Sequence, residues 1–380
     1  MDINNKKHSM QYSVTDWKTK LKFIINRGRG HMIPFIKNRI KWHIYPKLKI
    51  LPKFPDHLDL ETTNSCNMKC PMCYRDNIWK KQFNFKDKTM GFMRWELFTK
   101  IIDEASKNKV YSIRLSWRGE PLIHPKVVDM IKYAKIKGIK EVSFLTNGLN
   151  MSEEMSRKLV DAGVDWITNS FDGTGKVYEA IRDPAKYEES LKRLKTIQRI
   201  KKEKGTKKPI LKVQSVFSAI KDNPEEFYNA LGPIVDEIAV NDTQDHSLKN
   251  KDQNPYYFCP VPWQRMVICW NGKVVQCIND FNDRNYVGDL NKQTIKEIWL
   301  GKELKEVRKL ILKSERLKLK ACTECFDGDR RKTIKVKISG REVVSGDLGF
   351  EFKNMKEIKK KGGHLDESNI RNEKLIKKIV

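Results

Sequence analysis

In the stretch His57-Leu58-Asp59-Leu60-Glu61-Thr62-Thr63-Asn64-Ser65-Cys66-Asn67-Met68-Lys69-Cys70-Pro71-Met72-Cys73, a short apolar run gives way to a polar turn and then to three cysteines spaced C-x3-C-x2-C. Three thiolates on one loop can hold three irons of a [4Fe–4S] cube and leave the fourth iron open to a ligand that is not protein. A structural zinc ion is the alternative, but it wants four closed ligands, and no nearby His or Cys supplies the fourth.

Outward from this loop, short apolar segments and segments of helical period alternate from Pro55 to about Asn241. Strands are expected at His57–Thr62, Tyr111–Trp117, Glu141–Asn147, Asp165–Phe171, Ile210–Phe217 and Val235–Val240. Helices are expected at Arg94–Lys107, Pro125–Lys137, Ser152–Ala162, Tyr187–Glu203 and Pro224–Leu231. Such alternation predicts an α/β fold of parallel βαβ units. Six units make an open, partial (β/α)6 barrel of TIM-like type, with ligands gathered at the C-terminal ends of the strands.

The rhythm stops near Asp242–Pro255, where a domain boundary is expected. Beyond it, Asn271-Gly272 separates two alternating runs and signals a hairpin. A helix is expected at about Thr294–Leu312, a short hairpin near Ile334–Val344, and a poorly ordered end. The organisation read this way is residues 1–54 as a basic extension, 55–241 as the barrel, 242–330 as a small cysteine-bearing domain and 331–380 as a second basic extension. That small domain carries Cys259, Cys277, Cys322 and Cys325, spaced C-x17-C-x44-C-x2-C. Four thiolates can close a whole [4Fe–4S] cube; zinc held by four cysteines is the alternative. Cys269 is left over and reads as a buried small hydrophobe or a ligand in a rearranged site.

Eight cysteines in 380 residues, with neither an apolar run near the roughly 20 residues of a membrane span nor a secretory leader, point to a cytoplasmic protein whose thiols serve metal rather than disulfides. The net charge of +28 reads as a solvated basic surface or as a match for an acidic partner. Residues 1–15 are polar and expected to be loose. Residues 16–50 hold ten Lys/Arg against one acid, Asp16, mixed with Leu21, Ile24, Ile25, Phe35, Ile36, Ile40, Trp42 and Ile44. One or two basic amphipathic helices are expected there, packed on the main domain, gripping a partner or lying peripherally on an anionic membrane.

The loop from Glu61 to Cys73 resembles the signature loop of the radical S-adenosylmethionine (SAM) superfamily, with Met72 where that family usually has an aromatic against the adenine. Further matches follow in order. Arg118-Gly119-Glu120-Pro121 resembles the family's Gly-Gly-Glu-Pro, with Arg118 in place of the first glycine, and implies that Glu120 accepts from the SAM ammonium. Thr146-Asn147-Gly148 falls where the family contacts the ribose, and Ser170-Phe171-Asp172-Gly173 resembles its Ser-x-Asp-Gly. Arg182 resembles an arginine that pairs with the SAM carboxylate, and Gln214 implies a polar role near the ribose. The stretch from Cys259 to Cys325 resembles the SPASM/twitch module of the same superfamily, in the shorter form with one auxiliary [4Fe–4S] cluster that is seen in radical SAM dehydrogenases of aminocyclitol pathways.

What the resemblance implies is an enzyme in which SAM, cleaved at the first cluster, gives a 5′-deoxyadenosyl radical that takes hydrogen from the substrate. The auxiliary cluster is expected to accept an electron, which makes the net reaction a dehydrogenation; radical-mediated bond formation and epimerisation with the same parts stay open as alternatives. Asp280 is the candidate base, with Asp283 beside it, and Tyr74 and Arg75 are expected to face the site. The partners implied are a sugar-like or nucleotide-linked small molecule and a reductant such as flavodoxin or ferredoxin. Two alternatives stand beside this reading: a peptide-maturation enzyme using the same clusters, and a non-catalytic metal-binding module for nucleic acid. Against the second, the basic residues are spread along the chain and no nucleic acid is expected as a partner.

Overall fold

The computed structural model describes residues 11–13, 17–70, 73, 90–241, 254–281, 285–323, 325, 333–338 and 341–346. The chain begins with a short strand, β1 (Gln11–Ser13), and two helices, α1 (Trp17–Gly28) and α2 (Met32–Ile44). Six strands follow: β2 (His57–Leu60), β3 (Ser112–Arg114), β4 (Glu141–Thr146), β5 (Trp166–Ser170), β6 (Ile210–Val216) and β7 (Glu237–Asn241). They pair in parallel in chain order, with helices between them, as the partial (β/α)6 barrel requires. Strands such as β4 and β7 are buried at nearly every position because helices cover one face and the barrel interior the other. Helix Trp95–Lys107 buries Leu97, Phe98, Ile101, Ile102 and Ala105, one stripe of a 3.6-residue period. Ser152 caps Glu153–Asp161 by accepting from the Met155 amide at 3.1 Å. Among the described residues, no helix is long and apolar enough to cross a membrane.

Several boundaries differ from expectation. Residues 11–13 are not loose: β1 pairs antiparallel with β7, Gln11 opposite Asn241, and extends the sheet edge. The helix expected from Pro125 starts at Val127, after a 3-10 turn at Pro121–Ile123. The helix expected at 294–312 is two, Ile295–Leu300 and Lys302–Leu312, because the backbone of Gly301 is extended there. A Cβ on Gly301 would lie 2.7 Å from the Glu297 carbonyl, so only glycine fits this break.

The other edge of the sheet carries the second set of cysteines. Strand β8 (Arg265–Ile268) pairs in parallel with β2, His57 opposite Arg265 through Leu60 opposite Ile268. Then β9 (Lys273–Val275) and β10 (Tyr286–Asp289) add on antiparallel, making one ten-stranded sheet. The Asn271-Gly272 turn is present, with Gly272 at φ +88° and its amide on the Cys269 carbonyl at 2.9 Å. A separate two-stranded sheet pairs β11 (Thr333–Ile338) with β12 (Arg341–Gly346), the hairpin expected near 334–344. The boundary placed at 242 falls in 242–253, outside the described residues. One hydrophobic core runs from Leu58, Ile113 and Phe144 through to Ile298, Trp299 and Leu304, so barrel and cysteine-bearing hairpin share an interior.

At that junction lies a charged pair closed off from water. The Arg118 guanidinium donates to both oxygens of Glu61, at 2.6 and 2.8 Å, with side-chain exposures of 2% and 0%. The same guanidinium reaches the Phe281 carbonyl at 3.2 Å, and Glu61 accepts the Trp270 amide at 3.2 Å. Breaking a buried pair by removing one partner costs about 3–5 kcal/mol, whereas an apolar replacement of both is near neutral. Glu61→Leu is therefore expected to lower stability by about 3–5 kcal/mol, and Glu61→Leu/Arg118→Met to recover most of it, as measured by urea unfolding. Equal losses in both variants would show that the pair is not the source of the effect.

Candidate active site

The cysteine loop leaves β2 at its C-terminal end and is pinned there by short polar contacts. Segment 91–93 folds back onto it: Thr63 Oγ1 donates to the Gly91 carbonyl at 2.7 Å, Asn64 Oδ1 accepts the Gly91 amide at 2.9 Å, and the Met93 amide reaches the Thr62 carbonyl at 2.7 Å. From the next strand, Gly119 lies flat against the loop. A Cβ at Gly119 would stand 2.3 Å from the Thr63 carbonyl and 2.4 Å from that of Ser65. The glycine thus lets the Glu120 amide reach the Ser65 carbonyl at 2.8 Å.

Glu120 is the polar centre of this end of the barrel, 2% exposed. Its oxygens accept from Thr146 Oγ1 at 2.7 Å, the Asn147 amide at 2.7 Å and the Leu122 amide at 3.0 Å. Burial pushes its carboxyl up to about 7 against the pull of these donors. Thr146 is thus committed to Glu120, and Asn147 turns its side chain to the loop, with Nδ2 2.8 Å from Asn67 Oδ1 and 3.7 Å from Cys66 Sγ.

A second arm comes from β5 and the helix after it, Gly175–Ile181, which the sequence pattern did not announce. That helix delivers Arg182 at its C-terminal end. Arg182 Nε donates to Asp172 Oδ2 at 2.6 Å, and Nη1 lies 3.6 Å from Cys70 Sγ. Asp172 is fully buried, and its other oxygen accepts the Val216 amide at 2.7 Å and Ser215 Oγ at 3.2 Å. Both its oxygens are engaged by the chain, so its place is behind Arg182. Ser170, the last residue of β5, stands opposite Gln214 of β6 in register. Met72, Tyr74, Arg75 and Asp283 lie outside the described residues.

At the far end of the sheet, Cys259, Cys277, Cys322 and Cys325 gather. Burial pushes the Cys277 thiol well above its ordinary value, and Cys325, Asp280, Cys259 and Cys322 add to the effect. Two amides face the sulfurs: Gln276 Nε2 lies 3.4 Å from Cys322 Sγ and Asn279 Nδ2 3.4 Å from Cys325 Sγ. Arg316, 1% exposed, anchors the last turn by donating to the Cys322 carbonyl at 3.2 Å and the Asn254 carbonyl at 2.9 Å. Asp280 is also enclosed at 1% exposure, and its Oδ2 accepts the Asn285 amide at 3.0 Å. This hydrogen bond ties the carboxylate to the loop that follows Cys277. Cys269 stands apart, 1% exposed, packed with Val267 and Val275 and 3.6 Å from Arg118 Nη2.

The donor set fits iron–sulfur clusters. All eight cysteines are free thiols, and seven fall into a set of three and a set of four. Burial pushes Cys70 up to about 12, with Arg182 opposing and Cys73 and Cys66 reinforcing. Crowded, buried thiols of this kind ionise only against a strong local cation such as iron.

Comparison with known proteins agrees. The Radical SAM superfamily model matches residues 60–211, and the SPASM model, an iron-sulfur cluster-binding domain, matches residues 259–326. The chain is a radical SAM enzyme with a C-terminal SPASM domain. Its cofactors are accordingly SAM, the SAM-binding [4Fe–4S] cluster and auxiliary iron–sulfur. Among curated proteins, the radical SAM enzyme is 29% identical to a tungsten-containing aldehyde ferredoxin oxidoreductase cofactor-modifying protein of Pyrococcus furiosus, over 43% of this chain and 44% of that one. It is 35% identical to a probable GTP 3′,8-cyclase of Methanothermobacter marburgensis, over 30% of this chain and 34% of that one. The matches thus span less than half the length of either relative. Among solved structures, Streptococcus suis SuiB bound to its precursor peptide SuiA superposes with a TM-score of 0.53 at 14% identity, covering 80% of this chain and 73% of that one. BtrN in complex with AdoMet and 2-DOIA superposes at 0.50 and 18% identity, covering 72% and 93%. These likenesses are of fold.

Sequence reasoning missed the sulfur-facing donors of the SPASM domain, Gln276 and Asn279, although each is a neighbour in sequence of Cys277. An N–H donor to a cluster sulfur stabilises the reduced, more negative cluster. Gln276→Leu and Asn279→Ala are each expected to lower the reduction potential of the auxiliary cluster and to leave the SAM-binding cluster unchanged, in a redox titration followed by electron paramagnetic resonance. An equal shift of both clusters would contradict a local origin.

Proposed function

We propose that this radical SAM enzyme dehydrogenates a small polar substrate, sugar-like or nucleotide-linked. In this reading Cys66, Cys70 and Cys73 hold the SAM-binding cluster, and Cys259, Cys277, Cys322 and Cys325 hold the auxiliary one. When bound, the first cluster and SAM supply a 5′-deoxyadenosyl radical that removes a hydrogen atom from a substrate carbon bearing O–H or N–H, and the auxiliary cluster supplies the acceptor for the electron left behind as the proton departs. The observation that carries this reading is the closed second set. Four thiols are present, and the fifth candidate, Cys269, is packed away among Val267 and Val275. With no position open to substrate, an auxiliary cluster serves electron transfer rather than substrate binding.

The chain's own work is positioning. A carboxylate offers about four lone-pair sites, and the chain fills three on Glu120. The fourth is free for the SAM ammonium, whose charge would favour the ionised carboxylate that burial disfavours. Arg182, held by Asp172 beside Cys70, keeps N–H donors for the SAM carboxylate. Ser170 and Gln214 close the ring of polar side chains towards the ribose. Asn147 steadies the loop at Cys66.

The solved relatives hold a small molecule in one case and a peptide in another. The four-cysteine form of the second domain is what favours the small molecule here. Anaerobic incubation with SAM, reductant and a panel of nucleotide sugars and amino sugars is expected to give a product two mass units lighter, formed with one 5′-deoxyadenosine. Turnover of a peptide, with no sugar product, would overturn the substrate class. Glu120→Gln is expected to weaken SAM binding by roughly ten- to a hundredfold, the loss of one charge-assisted hydrogen bond. Unchanged affinity by isothermal titration would remove Glu120 from the SAM contacts.

A further inference from the structure

The N-terminal helices have two apolar sides, and only one is used by the fold. On the inner side of α2, Phe35 is buried, and Trp42 packs edge-on to His57 at 6.0 Å with the Arg265 guanidinium 4.7 Å over its ring. From α1, Phe23 meets Trp166 edge-on at 5.4 Å, and Arg27 donates to both oxygens of Glu141 at 2.6 and 2.7 Å. His57, Glu141, Trp166 and Arg265 are the first residues of β2, β4, β5 and β8. The helical pair therefore closes the barrel at the N-terminal ends of its strands, opposite the cysteine loops.

The outer side is apolar too. Ile33, Ile36, Ile40 and Ile44 follow at i, i+3, i+7 and i+11, which falls on one face of α2, and they are 40–69% exposed. Leu48 and Ile50 continue beyond the helix at 63% and 43%, and Leu21, Ile24 and Ile25 are exposed on α1. A row of exposed isoleucines is rare on a protein that meets only water. Around it the chain is uniformly cationic: residues 17–50 hold ten Lys/Arg and no Asp or Glu. Beside the row lies a cavity of about 490 Å³ whose walls include Lys37, Lys41, Lys109 and Lys140, with Asp56 against Lys41 at 3.6 Å. Asn38 and Tyr111 are among its lining residues.

We propose that this face is a docking surface for an anionic phospholipid bilayer. The isoleucine row enters the headgroup–acyl boundary, the surrounding lysines meet the lipid phosphates, and the lysine-walled cavity seats a headgroup phosphate. Charge complementarity decides among the occupants. A second copy would bring the same cationic face against this one, and nucleic acid has no use for the isoleucines. Docked this way, the enzyme turns its strand C-terminal ends away from the bilayer, so the surface anchors the enzyme and does not feed it lipid. The inference is independent of the substrate proposed above.

The test uses the full reconstituted chain and vesicle flotation, with phosphatidylcholine alone or with about a third phosphatidylglycerol. Binding is expected only to the anionic vesicles and should weaken with salt. Ile33→Ser/Ile36→Ser/Ile40→Ser changes only solvent-facing positions. It should reduce the bound fraction at least tenfold at low salt, with circular dichroism and cluster absorbance unchanged. Lys37→Glu/Lys41→Glu should do the same. Three results would each overturn the proposal: no flotation with anionic vesicles; dimers in light scattering that the isoleucine variant disperses; or salt-sensitive binding to DNA or RNA that the isoleucine variant leaves intact.

Discussion

A guanidinium and a carboxylate shut away from water, Arg118 on Glu61, tie the turn that follows β3 to the first residue after β2, where the cysteine loop begins. From the same two side chains, bonds run to the Phe281 carbonyl and the Trp270 amide on the far side of β8. Around them, the Trp117 indole donates to the Ile278 carbonyl at 2.9 Å and stacks on Phe281. Gly91 is bare because the Trp270 ring occupies the space its Cβ would need. The set of three thiols and the set of four are thereby held in one frame rather than on two bodies joined by a linker. An electron-accepting role for the second cluster requires that fixed relation, since transfer depends on separation. The price of such a frame is a desolvated charge pair that has no value if either member is lost.

Each thiol set is also served by polar side chains whose other atoms are bound to the chain. Asn147 and Arg182 approach Cys66 and Cys70; Gln276 and Asn279 approach Cys322 and Cys325. These donors stabilise negative charge on sulfur, and burial of the thiols makes that charge expensive without them. On the SAM side Asp172 orients Arg182, while Glu120 holds the Thr146 hydroxyl and the Asn147 amide.

Much of this was legible in the chain because it rests on spacing. Three cysteines after an apolar run, and glycine-bearing turns after successive runs, give strand ends on one side of a parallel sheet whatever the helices do. Arg118 was the exception that carried most meaning. In the sequence it appeared only as a departure from a glycine, because its partner Glu61 lies 57 residues away and no local rule links them. β1 was missed for a similar reason: three residues at a sheet edge take their structure from the register of β7 and not from their own pattern. Asp172 and Asp280 read as ligand or base from their neighbours; the hydrogen bonds that also tie them to the Val216 and Asn285 amides come from folding and not from any local pattern. The outward isoleucines of α2 were visible as an amphipathic mixture, but which apolar side faced the barrel needed the packing of Phe35 and Trp42.

The most direct test of the two-cluster frame is spectroscopic. Anaerobically prepared, reduced protein should hold about eight irons per chain and show two [4Fe–4S] signals by electron paramagnetic resonance, of which SAM changes only one, the cluster with an open iron. A single signal with about four irons, or two signals that both respond to SAM, would contradict the pairing of an open site with a closed one.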